Sequence, residues 1–262
     1  MKDRIAHHHT NNSGSCETME QEGLVRHWEK IYRIQKNDFR AKSLEVIILK
    51  DLGKQNEILD LGCGTCGLTL SLLENGFNVT SVDSSDEMLE MGKEILARNG
   101  LPHDRVFKSD IESFSKSNRG KFDRVICLDV IEHLENDAAA LAQINVLLKD
   151  DGVLILSVPA HPDLYGPKDV ELGHFRRYSK KDLLKKMRDS GFDVLTVRYW
   201  NFSGAVVTWL MKKIFNKRVG EDFRYRERSI QTTLLKHFFL VVENNVRPPF
   251  GMTLFVTARR SH

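Results

Sequence analysis

The run Asp60-Leu61-Gly62-Cys63-Gly64-Thr65-Cys66-Gly67 is a G-x-G-x-x-G pattern that follows a short apolar segment and precedes a helical one, with Asp83 at the end of the next strand-like segment. Glycines at 62 and 64 let backbone approach a ligand closely, and a carboxylate at Asp83 can accept hydrogen bonds from two ribose hydroxyls. Asp60 separates two ligand chemistries. A dinucleotide places its pyrophosphate against the helix N-terminus, where a carboxylate at Asp60 would repel it. An adenosyl cofactor with an amino-acid tail and no phosphate reverses the sign, because Asp60 then attracts the α-ammonium directly or through water.

A second constellation lies further along the chain. His133 sits in Glu132-His133-Leu134, just past the apolar run Phe122 to Leu128, and His174 sits in Gly173-His174-Phe175-Arg176-Arg177-Tyr178-Ser179, past Val153 to Val158. Ligands of open parallel sheets bind outside the C-terminal ends of the strands, so both histidines are expected near an acceptor. His174, Arg176, Arg177 and Tyr178 supply a titratable imidazole, two bidentate anion donors and a phenol. His133 or His174 is expected as general base, with Tyr178 as a further catalytic candidate and Arg176 and Arg177 orienting an anionic group. A plainer alternative pairs one arginine with a local carboxylate such as Asp169 and leaves Tyr178 and Ser179 to start a helix.

The elements that would position these residues follow from periodicity. Helical spacing covers Leu24 to Tyr32 and Leu44 to Leu52. Strands are expected at Glu57–Leu61, Asn78–Val82, Arg105–Lys108, Phe122–Leu128, Val153–Val158, Asp193–Tyr199 and Thr253–Ala258, and helices at Leu68–Glu74, Ser85–Asn99, Ala138–Leu148 and Lys181–Ser190. Strands alternating with helices at this pitch imply βαβ units and a parallel sheet covered on both faces. Residues 1–23 read as a mobile tail; 24–55 as N-terminal helices; 56–200 as a cofactor-binding core; 201–250 as a helical insertion; and 251–262 as a final strand.

Ile58-Leu59-Asp60-Leu61-Gly62-Cys63-Gly64-Thr65, Asp83, Asp110-Ile111 and Phe122-Asp123-Arg124-Val125-Ile126-Cys127-Leu128-Asp129-Val130-Ile131-Glu132-His133 together resemble, in order and spacing, the class I S-adenosylmethionine-dependent methyltransferases. The stretch Pro159 to Ser179 resembles a type 11/12-like subgroup with a glycine-histidine-x-arginine-arginine-tyrosine segment. The resemblance implies an α/β, Rossmann-like, doubly wound seven-stranded sheet whose last strand is antiparallel, with S-adenosylmethionine as cofactor and S-adenosylhomocysteine as product. It places Met88 on the adenine, Asp110 and Ile111 at the adenine edge and Leu128 along the methionine tail, with Cys63 and Ser84 beside the residues already named. Trp28 and Arg40 loosely resemble an aromatic and arginine entry helix and stand as substrate-binding candidates. The implied reaction is O-methylation of a small-molecule or lipid-like acceptor bearing an anionic group. RNA or protein methylation and a catalytically silent cofactor-binding module remain alternatives.

Composition narrows these alternatives. The 262 residues are 41% hydrophobic and 29% charged, with 17 Gly and 6 Pro, which excludes disordered, collagen-like and disulfide-scaffold proteins. A net charge of +3 does not announce a nucleic-acid protein, although Glu171 to Ile230 carries 15 Lys or Arg against 7 Asp or Glu. The segment after Leu128 lacks the Pro-Pro-aromatic platform of base-amino methyltransferases, so a nucleic-acid partner is disfavoured. A nicotinamide-dependent oxidoreductase is disfavoured by Asp60. Cys63 and Cys66 make a C-x-x-C without a second ligand pair, and His7, His8 and His9 lie in the tail, so no metal site is expected. The polar first 15 residues and reduced cysteines fit a cytoplasmic setting. Residues 202–218 combine apolar and basic side chains and could contact a membrane surface peripherally. Monomer and homodimer are both left open.

Overall fold

The computed structural model describes residues 39–53, 57–206 and 237–261. Helix α1 (Phe39–Leu52) leads into β1 (Ile58–Leu61), α2 (Gly67–Glu74), β2 (Val79–Asp83), α3 (Asp86–Arg98), β3 (Val106–Lys108), α4 (Ile111–Ser117), β4 (Phe122–Leu128) and α5 (Asp137–Leu147). Then come β5 (Leu148–Pro159), α6 (Pro167–Glu171), α7 (Lys180–Asp189), β6 (Phe192–Trp200) and β7 (Thr253–Arg260). The sheet runs β3-β2-β1-β4-β5-β7-β6, with β7 antiparallel to both of its neighbours. This is the doubly wound, seven-stranded sheet with an antiparallel last strand that the family resemblance implies.

Both faces of the sheet are buried, and the central strands are apolar throughout for that reason. On one face Leu59, Val125, Cys127, Leu154 and Leu156 pack under Ile144, Leu183 and Met187 of α5 and α7. On the other, Ile58, Ile126, Ile155 and Phe255 pack under Ile47, Ile48 and Leu52 of α1 and Leu72 of α2. The chain reverses at β1 between β2 and β4, so the ends of β1, β2, β4 and β5 open onto one crevice.

Three boundaries differ from the sequence expectation. Strand β5 begins at Leu148, where the helix was expected to continue, because Lys149 to Gly152 forms an extended, irregular entry with Asp151 in a left-handed conformation (φ 61°) rather than a detached turn. Helix α4 is a full element capped by Asp110, whose carboxylate accepts the Ser113 N–H (2.7 Å) and hydroxyl (2.9 Å). Helix α6, absent from the periodicity reading, is a single turn started by Pro167.

The expected insertion is described only at its ends. Residues 202–206 are helical, and Phe239–Glu243 forms a π-helical turn. Glu243 accepts the backbone N–H groups of Phe202 (3.1 Å) and Ser203 (2.7 Å), and Asn244 joins Ser43 of α1 to Trp200 of β6. The expected tail 1–23, the helix at 24–32, Trp28 and most of 202–218 lie outside the described residues.

Candidate active site

The glycine loop is tied to the end of β2. Both Gly62 and Cys63 donate backbone N–H to the Val82 carbonyl (2.8 and 3.1 Å), which bends the chain sharply after β1. Gly62 has φ +75°, and a Cβ there would overlap Val130, so only glycine fits. Gly64 has φ +51°, and a Cβ on it would meet nothing within 4 Å. Its far side is thus open ground where a ligand can lie against backbone.

Two carboxylates flank that ground. Asp83 accepts the Gly64 N–H (2.8 Å) and the Ser85 N–H (2.9 Å), which fixes the loop and aims the carboxylate while leaving oxygen lone pairs over. Asp60 is buried, and its Oδ2 accepts the Thr69 hydroxyl (2.7 Å), itself bonded to Ser81 (2.8 Å). Burial pushes the Asp60 carboxyl up to about 6, the Thr69 hydrogen bond opposes this, and the nearby Asp83 charge adds to it. A carboxylate that is costly to ionise alone, beside an open glycine wall, suits a ligand bringing a cation. Cys63 and Cys66 lie with their sulfurs 3.9 Å apart, Cys66 being fully buried.

The remaining cofactor candidates fall round the same crevice with differing exposure. Ser84 and Met88 are exposed at the start of α3, Asp110 is exposed at the start of α4, and Ile111 and Leu128 are half-buried. The structure gives Asp110 a capping duty in addition to the expected one, and its hydrogen bonds to Ser113 hold its carboxyl below the usual range.

The segment after β4 is joined to the cofactor loop through the contact of Val130 with Gly62. It then forms a 3₁₀ turn, Ile131–His133, from which His133 faces His174. The two imidazole rings are edge to face, with centroids 4.6 Å apart. Burial, and secondarily His174, holds the His133 pKa below its ordinary value. The segment after α6 is strapped down by the Phe175 N–H to Glu132 carbonyl bond (2.7 Å) and by an isolated parallel bridge between Ala160 and Tyr178.

Three acceptor candidates are turned to other partners. The Tyr178 hydroxyl is buried and donates to Asp137 (2.8 Å); burial and that bond raise its pKa far above the phenol range, which makes it a poor proton donor or acceptor. Arg177 donates through Nε to Asp169 (2.7 Å), the local pairing raised as the plainer alternative. Arg176 donates to the Glu135 carbonyl (2.7 Å) and pairs with Asp137 (3.1 Å), where Lys186 also lands. Both guanidinium groups are spent on internal carboxylates. Arg40 lies on α1, and Trp28 is outside the described residues.

Two carboxylates outside the expected site residues are central here. Asp169 is buried and accepts from the Gly166 N–H (3.0 Å), the His174 ring Nδ1 (3.1 Å) and Arg177. Glu132 is fully buried, yet neither carboxylate oxygen has a hydrogen-bond partner. Adjacency to His133 in a sequence otherwise typical of a surface turn gave no sign of that burial.

A family model described as a methyltransferase domain matches residues 32–197. The chain belongs to this methyltransferase family. The cofactor of the family is S-adenosylmethionine, and the open loop with its two carboxylates fits that molecule. Among curated proteins, the ubiquinone biosynthesis O-methyltransferase of Haemophilus ducreyi is 34% identical over 104 residues, covering 38% of this chain and 44% of that one. The protein of the same name from Rickettsia canadensis is 37% identical over 119 residues, covering 44% and 49%. The chain thus spans less than half the length of these relatives. Among solved structures, a SAM-dependent methyltransferase from Archaeoglobus fulgidus superposes with a TM-score of 0.56 at 17% identity, covering 87% of this chain and 99% of that one. That likeness is one of fold.

Proposed function

We propose that this methyltransferase binds S-adenosylmethionine at the Asp60, Gly62–Gly64 and Asp83 wall and directs O-methylation of a small, largely apolar acceptor seated at His133 and His174. The observation that carries the cofactor end is Asp60, a buried carboxylate that burial makes costly to ionise and that a ligand cation would stabilise. The cofactor supplies an activated sulfonium methyl, so the protein has only to bind, orient and manage one proton. Asp60 attracts the α-ammonium, Asp83 accepts from ribose hydroxyls, and the Gly64 backbone lets both approach. Ser84, Met88, Asp110, Ile111 and Leu128 would complete the adenosine and methionine contacts.

At the acceptor end, a neutral imidazole with a lowered pKa can take a hydroxyl proton at neutral pH. Asp169 holds the His174 ring through Nδ1, which turns Nε2 outward. Tyr165, Val170, Leu172 and Phe175 are exposed apolar side chains on the segments bracketing His174, which favours an apolar body on the acceptor. The ion pairs of Arg176 and Arg177 remove the support for an anionic group on that acceptor. The O-methyltransferase names of the curated relatives support oxygen as the methylated atom. Among the described residues no helix is long and apolar enough to cross a membrane.

The test is incubation with methyl-labelled S-adenosylmethionine and a panel of phenols and alcohols with and without long apolar tails. Label in an ether product, greater for the tailed acceptors and reduced at least about tenfold in His133→Ala or His174→Ala, is expected. Label in RNA or protein, or undiminished turnover in both variants, refutes the acceptor assignment.

A further inference from the structure

Glu132, His133 and His174 form a cluster that the cofactor site does not use. Ligand-capable atoms of the three side chains all lie within 4.8 Å of one another. Glu132 reaches it from a fully buried position, with both oxygens lacking a hydrogen-bond partner. An isolated buried carboxylate is expensive, and chains retain one where something charged compensates it. The candidates within the protein fall short. Arg177 pairs with Asp169 and acts on Glu132 only through space, without a hydrogen bond to it, and Asp129 adds a like charge.

The imidazoles are oriented as metal ligands are. His174 presents Nδ1 to Asp169, and the His133 ring bonds the Gly173 backbone. These are the outer contacts, a carboxylate for one ring and a backbone group for the other, that fix tautomer and direction in histidine metal sites. Asp169 is itself held by Arg177 and Gly166, so its position does not depend on an ion. Four-coordinate zinc with ligands near 2.1 Å sets donor separations of about 3.4 Å, so the cluster needs to close by little more than about 1 Å. Two ligands come from the Ile131–His133 turn and the third from the segment that carries His174, and His133 is the exposed member of the three.

We propose that Glu132, His133 and His174 hold one divalent transition-metal ion of the zinc class, leaving an open position toward the crevice. Two imidazoles and one carboxylate suit zinc, manganese, iron or cobalt ions in preference to magnesium or calcium. The ion's function rests on the acceptor reading given above: held by the ion, an acceptor hydroxyl would release its proton to solvent water at the exposed His133 side, and the two histidines would act as ligands instead of as a base. Binding of the ion is independent of that reading and is measured without turnover.

The experiment uses the full chain with His7, His8 and His9 replaced by alanine, which removes a competing tail site. Metal-stripped protein is titrated with Zn2+ against a chromophoric chelator, with Mg2+ as contrast, and the melting temperature is followed with and without Zn2+. One equivalent of tight Zn2+ binding with a melting rise is expected, weakened at least about 100-fold by Glu132→Gln or His174→Ala and about 10- to 100-fold by Asp169→Asn. Glu132→Gln removes a buried acid at constant shape, so without metal it melts no lower than the parent. His133→Ala alters an exposed side chain and serves as the ligand test should either buried variant fail to fold. Binding absent from the folded parent, or unchanged in the folded ligand variants, overturns the site. Binding without any effect of Zn2+ on labelled ether formation retains the site and refutes the acceptor role.

Discussion

Lowering the pH from 7 to 5 should weaken S-adenosylmethionine binding about tenfold, and the origin of that factor is Asp60. Its carboxyl is pushed from 3.8 to about 6, chiefly by burial, in part by Asp83. The displacement corresponds to about 3 kcal/mol for ionising the side chain in the unliganded protein. The sign follows from the direction. An acid whose folded pKa is raised holds its proton between pH 4 and 6 while the unfolded chain releases it, so this group's contribution to stability falls as pH rises through that window. A ligand ammonium against Asp60 draws the pKa back toward 3.8, and binding near neutrality meets an ionised partner. At pH 5 about nine-tenths of the unliganded molecules carry the proton and must lose it to bind, which produces the factor. Calorimetric titration with S-adenosylhomocysteine, which keeps the ammonium and is chemically inert, measures it from pH 5 to 7.5. Asp60→Asn should bind weakly at pH 7 with a flat profile. A flat profile in the parent, or an unchanged slope in Asp60→Asn, would refute the assignment of Asp60 to the ammonium.

Gly62→Ala should cost stability through both its φ of +75° and the overlap with Val130, about 2 to 4 kcal/mol by urea denaturation. Adding Val130→Ala should recover the overlap but not the backbone strain, and full recovery would contradict the strain argument. Tyr178→Phe removes one donor from Asp137, which keeps Lys186 and Arg176, so a loss of about 1 to 2 kcal/mol with turnover within about twofold is expected. A large fall in turnover with unchanged stability would return Tyr178 to the chemistry.

The central strands were legible because a strand buried on both faces is apolar at every position, as in Ile58-Leu59 and Val125-Ile126-Cys127. The start of β5 was not, since Lys149-Asp150-Asp151-Gly152 has the composition of a turn although Leu148 before it already pairs with Phe122 of β4. A single-turn helix such as α6 carries too few residues to display a period. In the site, Asp60 and Asp83 could be read from the loop spacing because their duties depend on elements adjacent in sequence. Glu132 could not, because the strap that ties its main chain down arrives from Phe175, some forty residues on. Arg176 and Arg177 looked available for an anion for the same reason: Asp137 and Asp169, which occupy them, are brought in by tertiary structure.

On the proposed reading, the Asp60 and Asp83 wall takes an adenosyl cofactor with a cationic tail. Calorimetric titration of the protein with S-adenosylmethionine, S-adenosylhomocysteine and NAD, beside Asp83→Ala, tests it most directly. Micromolar binding of both sulfur ligands, lost in Asp83→Ala and absent for NAD, is the predicted result. Binding of NAD alone, or sulfur-ligand binding that Asp83→Ala leaves intact, would contradict the account.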